Sequence, residues 1–347
     1  GDVMVKIVKG ALTLLLGIGL SVSAVSAAKT IKLSHLNPSD PFNNNSAAMT
    51  AVFKSLVESG TNGSVSVQLF PDGQLGKDNE VIQQTRDGII QSNISSAGGV
   101  AQHYSLVGVF DLPFVFPNIS IAHEVIDLGS SFGRKFADDI EKKTGLKVIG
   151  LLDSGGFFSI TNSKRAVHTI ADMKGLRIRT MTLPTHEAII SSLGGKPTPL
   201  PWPEVYTALQ TGVADGQMNP VPIIAFAKFD EVQTYLSLTQ HIITPYLWFM
   251  NADFYNSLSE HEQYVVDYAA KTAVVSGKGI SRIIEASDRG LPHLGKKMKI
   301  NSLSAAELQK FAEVSQPAVR KLISDKFGNE GVEMLNALVK SVDEARN

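Results

Sequence analysis

The stretch Gly145-Leu-Lys-Val-Ile-Gly-Leu-Leu152 is the clearest buried strand in this sequence of 347 residues. Strand and helix patterns alternate before it, from Thr30 to about residue 153, and a second run of strands and helices follows from Gly155 to about Gln240. Such alternation predicts α/β layers with mainly parallel sheets. At roughly 150 residues per domain, the length agrees with two such units.

A long helix is predicted after these two runs. Ser259 and Glu262 form a capping box, and helical character continues without proline to about Arg289. A helix of that length measures about 45 Å, which is longer than one small domain is wide, so we expect it to span two lobes. A break at Gly277 or Gly279 is the alternative. Residues 304–347 are predicted to form two further helices separated near Gln316-Pro317.

Composition excludes several classes of protein. Lys and Arg total 32 and Asp and Glu total 33, for a net charge of −1, whereas nucleic-acid binders need a basic surplus. Hydrophobic residues make up 43% of the chain, which argues against disorder. Cysteine is absent from the sequence, so disulfides, cysteine nucleophiles and thiolate metal sites are excluded.

The first 28 residues have the pattern of a secretory signal peptide. Lys6 and Lys9 precede an apolar run over 11–22 and then a stretch of small residues, which predicts cleavage near Ala27 or Ala28. Residues 1–3, before Met4, are interpreted as a cloning remnant. An N-terminal membrane anchor is the alternative, but the run is short for a membrane span. We expect an exported protein with no stable membrane insertion after cleavage.

Motifs for catalysis are weak. Three His-Glu dipeptides lack the second histidine of a zinc-binding H-E-x-x-H helix. The segment from Gly129 to Gly133 matches G-x-S-x-G, but a polar-faced helix is predicted before Ser131, where a nucleophile elbow needs a buried strand. We therefore expect no catalytic residue, metal or cofactor. A secreted α/β hydrolase using Ser131 is kept as an alternative.

Six motifs in the middle of the chain are specific when taken together and in this order: Leu69-Phe-Pro-Asp-Gly-Gln-Leu-Gly76, Asp111-Leu-Pro-Phe-Val-Phe116, Thr161-Asn-Ser-Lys-Arg165, Ala171-Asp-Met-Lys-Gly-Leu-Arg-Ile-Arg179, Pro199-Leu-Pro-Trp-Pro-Glu-Val-Tyr-Thr-Ala-Leu-Gln210 and Val213-Ala-Asp-Gly-Gln-Met-Asn-Pro220. The sequence resembles the substrate-binding proteins of tripartite ATP-independent periplasmic (TRAP) transporters of the C4-dicarboxylate and sialic-acid type.

The resemblance implies a two-lobed periplasmic-binding-protein-like fold with hinge strands, a long helix spanning both lobes, and a ligand cleft between them. Lobe I would comprise 29–153 and about 243–282, and lobe II 154–242 and about 283–347. The resemblance also implies a periplasmic solute receptor that delivers a small organic acid to TRAP permease membrane subunits. A receptor of this fold that signals to a sensor kinase is an alternative.

The resemblance also assigns site residues. Arg179 falls on the position that clamps the ligand carboxylate, for which a planar, permanently charged guanidinium is suited. Asn219 matches the asparagine that hydrogen-bonds the same carboxylate, and Trp202 matches an aromatic position at the cleft. Alternation along the strand places Arg177 on the same face as Arg179, opposite Ile178. Arg177 is expected to form a surface ion pair.

Departures from the family pattern suggest the ligand. Phe158, beside Phe157, stands where many members have a second arginine, and Ser96 stands where sialic-acid binders use glutamate. Tyr246 and Trp248 could add aromatic walls to the cleft. A second carboxylate beside Phe158 would lose its hydration without a partner. We therefore expect a monocarboxylate with an apolar or aromatic body, with a C4-dicarboxylate as the alternative.

Overall fold

A computed structural model describes residues 28–347. Residues 1–27 of the predicted signal peptide lie outside the described residues. The described chain contains eleven strands in two sheets. They are β1 (Lys29–Ser34), β2 (Val65–Phe70), β3 (Ser92–Ser96), β4 (Leu146–Asp153), β5 (Phe158–Asn162), β6 (Arg177–Thr180), β7 (Lys196–Pro199), β8 (Gly216–Pro220), β9 (Tyr235–Leu238), β10 (Pro245–Asn251) and β11 (Lys299–Ser302).

Helices cover the faces of both sheets. They are α1 (Asn45–Gly60), α2 (Asp78–Arg86), α3 (Ala97–Val100), α4 (Ile119–Val125), α5 (Ser131–Thr144), α6 (Pro184–Ser192), α7 (Val205–Thr211), α8 (Val221–Phe226), α9 (Ala252–Ser257), α10 (Glu260–Ala286), α11 (Leu291–Leu294) and α12 (Ala305–Ala345). Short 3₁₀ segments occupy Ser105–Asp111, Ile170–Met173, Trp202–Glu204 and Phe229–Glu231. None of the helices in 28–347 combines the length and apolar composition needed to cross a bilayer.

The two sheets confirm a two-lobed α/β fold. One has the strand order β2-β1-β3-β10-β4 and the other β11-β9-β5-β8-β6-β7. The prediction of mainly parallel sheets is only partly right, because each sheet contains one strand that runs against its neighbours. β10 is antiparallel to β3 and β4, and β5 is antiparallel to β8 and β9. The chain enters each of these two strands directly from the other sheet.

Two adjacent strand-to-strand crossings connect the lobes, from β4 to β5 and from β9 to β10, and the segment containing α10 leads from β10 back to β11 of the other sheet. Backbone hydrogen bonds tie the crossings together: the N–H of Ser154 donates to the carbonyl of Thr244 at 2.9 Å, and the N–H of Phe158 donates to that of Ile242 at 2.8 Å. Gly156, in the first crossing, has φ of +113°, a region that side chains disfavour. These paired segments are the hinge strands. The residue boundaries of the lobes stay a prediction.

The long helix α10 is continuous. Its Ser259 cap accepts a hydrogen bond from the N–H of Glu262, and the Glu262 carboxylate accepts one from the N–H of Ser259, which confirms the capping box. Gly277 does not break the helix: a Cβ there would lie 2.7 Å from Met49 Cγ, so the glycine allows close packing against α1. Arg282 donates to the carbonyl of Gly155 at 2.7 Å, and this contact joins the helix to the hinge.

The predicted position of the break between the two C-terminal helices, near Gln316-Pro317, is wrong. α12 continues through Pro317 and is interrupted instead at Gly328, whose φ of 57° is left-handed. Proline removes one helical hydrogen bond, but the buried face on both sides of Pro317 continues from Phe311 to Val319 and keeps the segment packed. α12 packs on α6 and also contacts α4 and α5.

Candidate functional site

A cavity lies between the two sheets. Its lining combines one buried arginine with amides, hydroxyls, one carboxylate and several aliphatic side chains. The lining residues are Leu36, Asn37, Ser46, Asp78, Ile94, Ser96, Arg179, Met181, Trp202, Asn219, Ile223 and Tyr246. The set includes residues from both sheets.

Arg179 lines the cavity and is tied to the backbone by one edge of its guanidinium. The side chain is on β6, 2% exposed, and its Nε and Nη2 donate to the carbonyl of Leu200 at 3.0 and 2.8 Å. Because those two bonds use one edge of the planar group, the Nη1 and Nη2 edge keeps two parallel donors that match a carboxylate. Burial lowers the pKa of Arg179 to about 9, so the group is still charged at neutral pH. Its charge lacks a direct ion-pair partner among the described residues.

Arg177 behaves as the sequence predicts. Its guanidinium is exposed and forms an ion pair with Asp215, with Nη2 and Oδ1 2.8 Å apart. The backbone N–H of Arg177 donates to the same carboxylate at 2.9 Å. Two arginines on one short strand therefore have different environments, because Arg177 is at the outer end of β6 and Arg179 is where the strand reaches the cavity.

A relay of buried polar side chains fixes the amide of Asn219. Its Nδ2 donates to Gln217 Oε1 at 2.7 Å, and Gln217 Nε2 donates to Thr161 Oγ1 at 2.9 Å. The Thr161 hydroxyl then donates to Gln233 at 2.7 Å. Gln217 and Asn219 share one face of β8 because they are two residues apart. The relay uses one N–H of the Asn219 amide and leaves the other for a ligand oxygen.

Aromatic groups form two walls of the cavity. The Trp202 ring packs on Phe229, with centroids 5.7 Å apart, and the Arg179 guanidinium lies 5.9 Å from the Trp202 centroid. On the other sheet, the Tyr246 hydroxyl accepts a hydrogen bond from Asn37 Nδ2 at 3.3 Å. Burial raises the pKa of Tyr246 to about 12. Tyr246 is therefore neutral, and its hydroxyl adds a polar group without charge.

Asp78 is the charged lining residue that the sequence interpretation missed. It is the first residue of α2, and its Oδ2 accepts hydrogen bonds from Ser96 Oγ at 2.5 Å and from Ser96 N at 3.2 Å. Burial raises the pKa of Asp78 to about 6, although the Ser96 bonds and the charge of Arg179 act in the opposite direction. A sequence signal existed: Asp78 follows the motif ending at Gly76 and begins a helix.

Three predicted site residues do not line the cavity. Phe158 is fully buried in β5 and packs on the His186 ring, with centroids 5.9 Å apart, while Phe157 is partly buried against the same core. Trp248 is fully buried too, with its ring on Phe53 and its Nε1 donating to Ser92 Oγ. The strands of Phe158 and Trp248, β5 and β10, are flanked by other strands on both sides, and both side chains enter cores. The placement of Phe158, Phe157 and Trp248 in the cleft is corrected accordingly.

Ser131 lies in a setting unlike that of a nucleophile elbow. It is the exposed first residue of α5, directly after the Ser130 cap, and the preceding element is the helix α4. The strand that a strained strand-turn-helix elbow requires is therefore replaced by a helix and a turn. Within 28–347, no group of three or more His, Asp or Glu residues gathers in a way that could hold a metal ion.

The lobes contact each other around the mouth of the cavity. Lys77, beside α2, forms an ion pair with Glu204 at 2.8 Å, and the hydroxyl of Thr182 donates to the carbonyl of Gly98 at 3.1 Å. Lys77 precedes α2 and Gly98 follows β3, both on the side of the five-stranded sheet. Thr182 follows β6 and Glu204 follows β7, both on the side of the six-stranded sheet. The structure therefore shows the cleft with its lobes in contact.

A family model and the related proteins point to the same protein family. Residues 35–326 match the model of bacterial extracellular solute-binding protein family 7, DctP. The chain is 32% identical over 302 residues to the 2,3-diketo-L-gulonate-binding periplasmic protein YiaO of Escherichia coli, covering 85% of this chain and 86% of YiaO.

Solved structures agree with the sequence comparison. A TRAP periplasmic solute-binding protein of Bordetella bronchiseptica, whose density was interpreted as pantoate, is 31% identical with a TM-score of 0.81 over 92% of this chain and 100% of that one. Another, of Shewanella oneidensis with bound succinate, is 27% identical with a TM-score of 0.82 over 91% and 100%. The chain belongs to family 7 of the bacterial extracellular solute-binding proteins, the DctP family of TRAP solute receptors.

Proposed function

We propose that this TRAP solute receptor binds a compact monocarboxylate with an apolar body, and that it passes the acid to permease subunits in the membrane. The observation that carries the proposal is that the buried Arg179, whose bonds to Leu200 use only one guanidinium edge, lines the same cavity as the hydrogen-bonded Asn219 amide. A carboxylate there would receive two parallel charge-assisted hydrogen bonds and one neutral one.

The rest of the cavity supports an apolar part of the ligand. Leu36, Ile94, Met181 and Ile223 supply aliphatic surface, and Trp202 supplies an aromatic face. Removing apolar ligand surface from water favours binding by roughly 25 cal/mol per Å² of buried area. Compact branched acids match this lining, and pantoate, named for the Bordetella relative, has that chemistry.

The basis for preferring a monocarboxylate changes from the one that the sequence suggested. Phe158 lies in the core, so it cannot set the charge of the ligand. Within the cavity lining, Arg179 is the single cationic side chain and Asp78 is an acidic one. A second carboxylate would therefore meet no cation there.

Binding requires the lobes to separate, because the cavity is enclosed by side chains from both sheets. We propose that the acid first binds Arg179 and Asn219 and that contacts with the other lobe then favour closure about the hinge strands. A ligand shifts this equilibrium only by its extra affinity for the closed form. The closed form is the one that we expect the permease to recognise.

Arg179→Ala tests the clamp, with Arg177→Ala as the matched control on the same strand. Truncating Arg179 should weaken binding by roughly 2–5 kcal/mol, or about 30- to several-thousand-fold. Arg177→Ala removes the bonds of an exposed guanidinium to Asp215 and Val213, outside the cavity lining, and should leave affinity within about twofold. The measurement is calorimetry with pantoate, D-erythronate, 4-hydroxybutanoate and succinate. Equal affinities for the Arg179 variant and wild type would refute the clamp.

A further inference from the structure

We propose that Asp78 sets the charge that the site accepts: its carboxylate excludes ligands with a second anionic group and favours a hydroxyl at that position. The inference rests on the proposed function and names a specificity-determining residue for it. Asp78 and Arg179 both line the cavity, from opposite lobes, so the site has an anionic side and a cationic side.

The position of Asp78 is held by its surroundings. Ser96 donates both its hydroxyl and its backbone N–H to Oδ2, which fixes the carboxylate at the start of α2. Gly99 allows this approach, because a Cβ there would lie 2.1 Å from Asp78 Cβ. Asp78 is 8% exposed and is therefore poorly screened by water. A carboxylate so fixed accepts hydrogen bonds from a ligand hydroxyl but repels a ligand carboxylate.

The charged groups around Asp78 do not cancel this effect. Arg179 is the cation that faces Asp78. The first carboxylate of the ligand would pair with Arg179, so that cation would no longer offset the charge of Asp78. Lys77 is engaged with Glu204 at the mouth of the cavity, and its backbone N–H donates to Glu80 at 2.8 Å. Tyr246 is neutral because burial raises its pKa. The titratable and charged groups near Asp78 are thus Lys77, Glu80, Arg179, Glu204 and Tyr246.

The test compares two four-carbon acids that differ at one end. Succinate ends in a second carboxylate and 4-hydroxybutanoate ends in a hydroxyl, so the ratio of their Kd values isolates the preference at the Asp78 end. Wild type should bind 4-hydroxybutanoate more tightly. Asp78→Asn removes the charge and keeps the shape, and it should move the ratio toward succinate by about 10- to 100-fold. Asp87→Asn, at the exposed end of the same helix, should leave the ratio unchanged.

A second measurement needs no variant. Asp78 has a pKa raised to about 6, so lowering the pH through that value protonates it and removes the repulsion. The affinity of wild type for 3-sulfopropanoate, whose sulfonate stays ionised, should therefore rise relative to 4-hydroxybutanoate between about pH 7.5 and about pH 5.5. In Asp78→Asn this pH dependence should be absent.

The outcomes separate the two proposals. Binding of a monocarboxylate that is lost in Arg179→Ala, together with a ratio that changes in Asp78→Asn and with pH, supports both. A ratio that is unchanged in folded Asp78→Asn overturns the role of Asp78 and leaves the proposed function standing. A wild type that prefers succinate overturns both the role of Asp78 and the preference for a monocarboxylate, and leaves only the Arg179 clamp. If wild type binds none of these acids, the proposed function fails, and the inference fails with it.

Discussion

Gly98→Ala should weaken ligand binding by obstructing closure of the lobes. Gly98 is in α3, after β3 of the five-stranded sheet, and it faces the segment after β6 of the other sheet. An added Cβ would lie 2.9 Å from Met181 Cβ and 3.4 Å from the backbone nitrogen of Thr182. Because both atoms are in or next to the backbone, rotation of a side chain cannot relieve the contact. The lobes would have to separate by about 0.5–1 Å at this point to restore ordinary contact.

The expected loss of affinity depends on the fact that residue 98 meets Met181 in the closed form of the protein. Overpacking of this kind costs roughly 1–3 kcal/mol, and here the cost falls on the closed form alone. Affinity should therefore drop about 5- to 150-fold. The higher helix propensity of alanine acts on open and closed forms alike and cancels in the comparison. The Thr182 hydrogen bond to Gly98 adds to the loss if separation breaks it.

Calorimetry with the tightest-binding acid measures the effect, and small-angle X-ray scattering with and without that acid reports closure directly. Gly279→Ala is the matched control: it is a helical glycine with no heavy atom within 4 Å of the added Cβ. Its affinity should equal that of wild type. An unchanged Kd for Gly98→Ala, with melting of the unliganded protein also unchanged, would refute the closure argument.

Two further predictions concern stability. Phe158→Ala should leave a cavity beside His186 and lower the free energy of unfolding by roughly 3–5 kcal/mol, which is measured as a lower Tm. The order of ligand affinities should stay the same, and a changed order would show that Phe158 contributes to the site. Burial alone would raise the pKa of Glu262, but hydrogen bonds from Lys29, Ser259 and Ser64 lower it to about 2. Its stabilising contribution should be present above its unfolded pKa of about 4.3 and disappear as the pH falls toward 2. In Glu262→Gln, Tm should therefore fall less steeply than in wild type as the pH is lowered through this range. A variant whose Tm falls in parallel with that of wild type would contradict this.

The sequence predicts those features that depend on neighbours along the chain. The capping box at Ser259 and Glu262 involves residues three apart, and the buried strand ending at Leu152 is a continuous aliphatic run, so local physics is sufficient for both. Arg179 and Asn219 could be assigned because each lies in a motif that resembles a family pattern. The ion pair of Arg177 was likewise the ordinary expectation for an arginine near the end of a strand.

Errors arose where the direction of a side chain depends on its strand's place in a sheet. Phe158 and Trp248 are apolar residues on strands, and a strand pattern alone does not say whether such a face meets a cleft or a core. The structure decides it, because β5 and β10 enter the interiors of their sheets from the other lobe. The break in α12 also depended on tertiary packing, since the apolar face around Pro317 holds that segment together.

By itself, then, the amino-acid order predicted the α/β class and the long helix and singled out Arg179 for the proposed clamp, since each depends on local pattern or on a motif. Only the tertiary structure brought Asp78 to the same cavity as Arg179, which is 101 positions further along the chain. In the proposed role of Asp78, the charge of the ligand depends on both groups together. Because electrostatic interaction depends on distance in space and not on separation in sequence, that property became visible only when the two lobes were placed against each other.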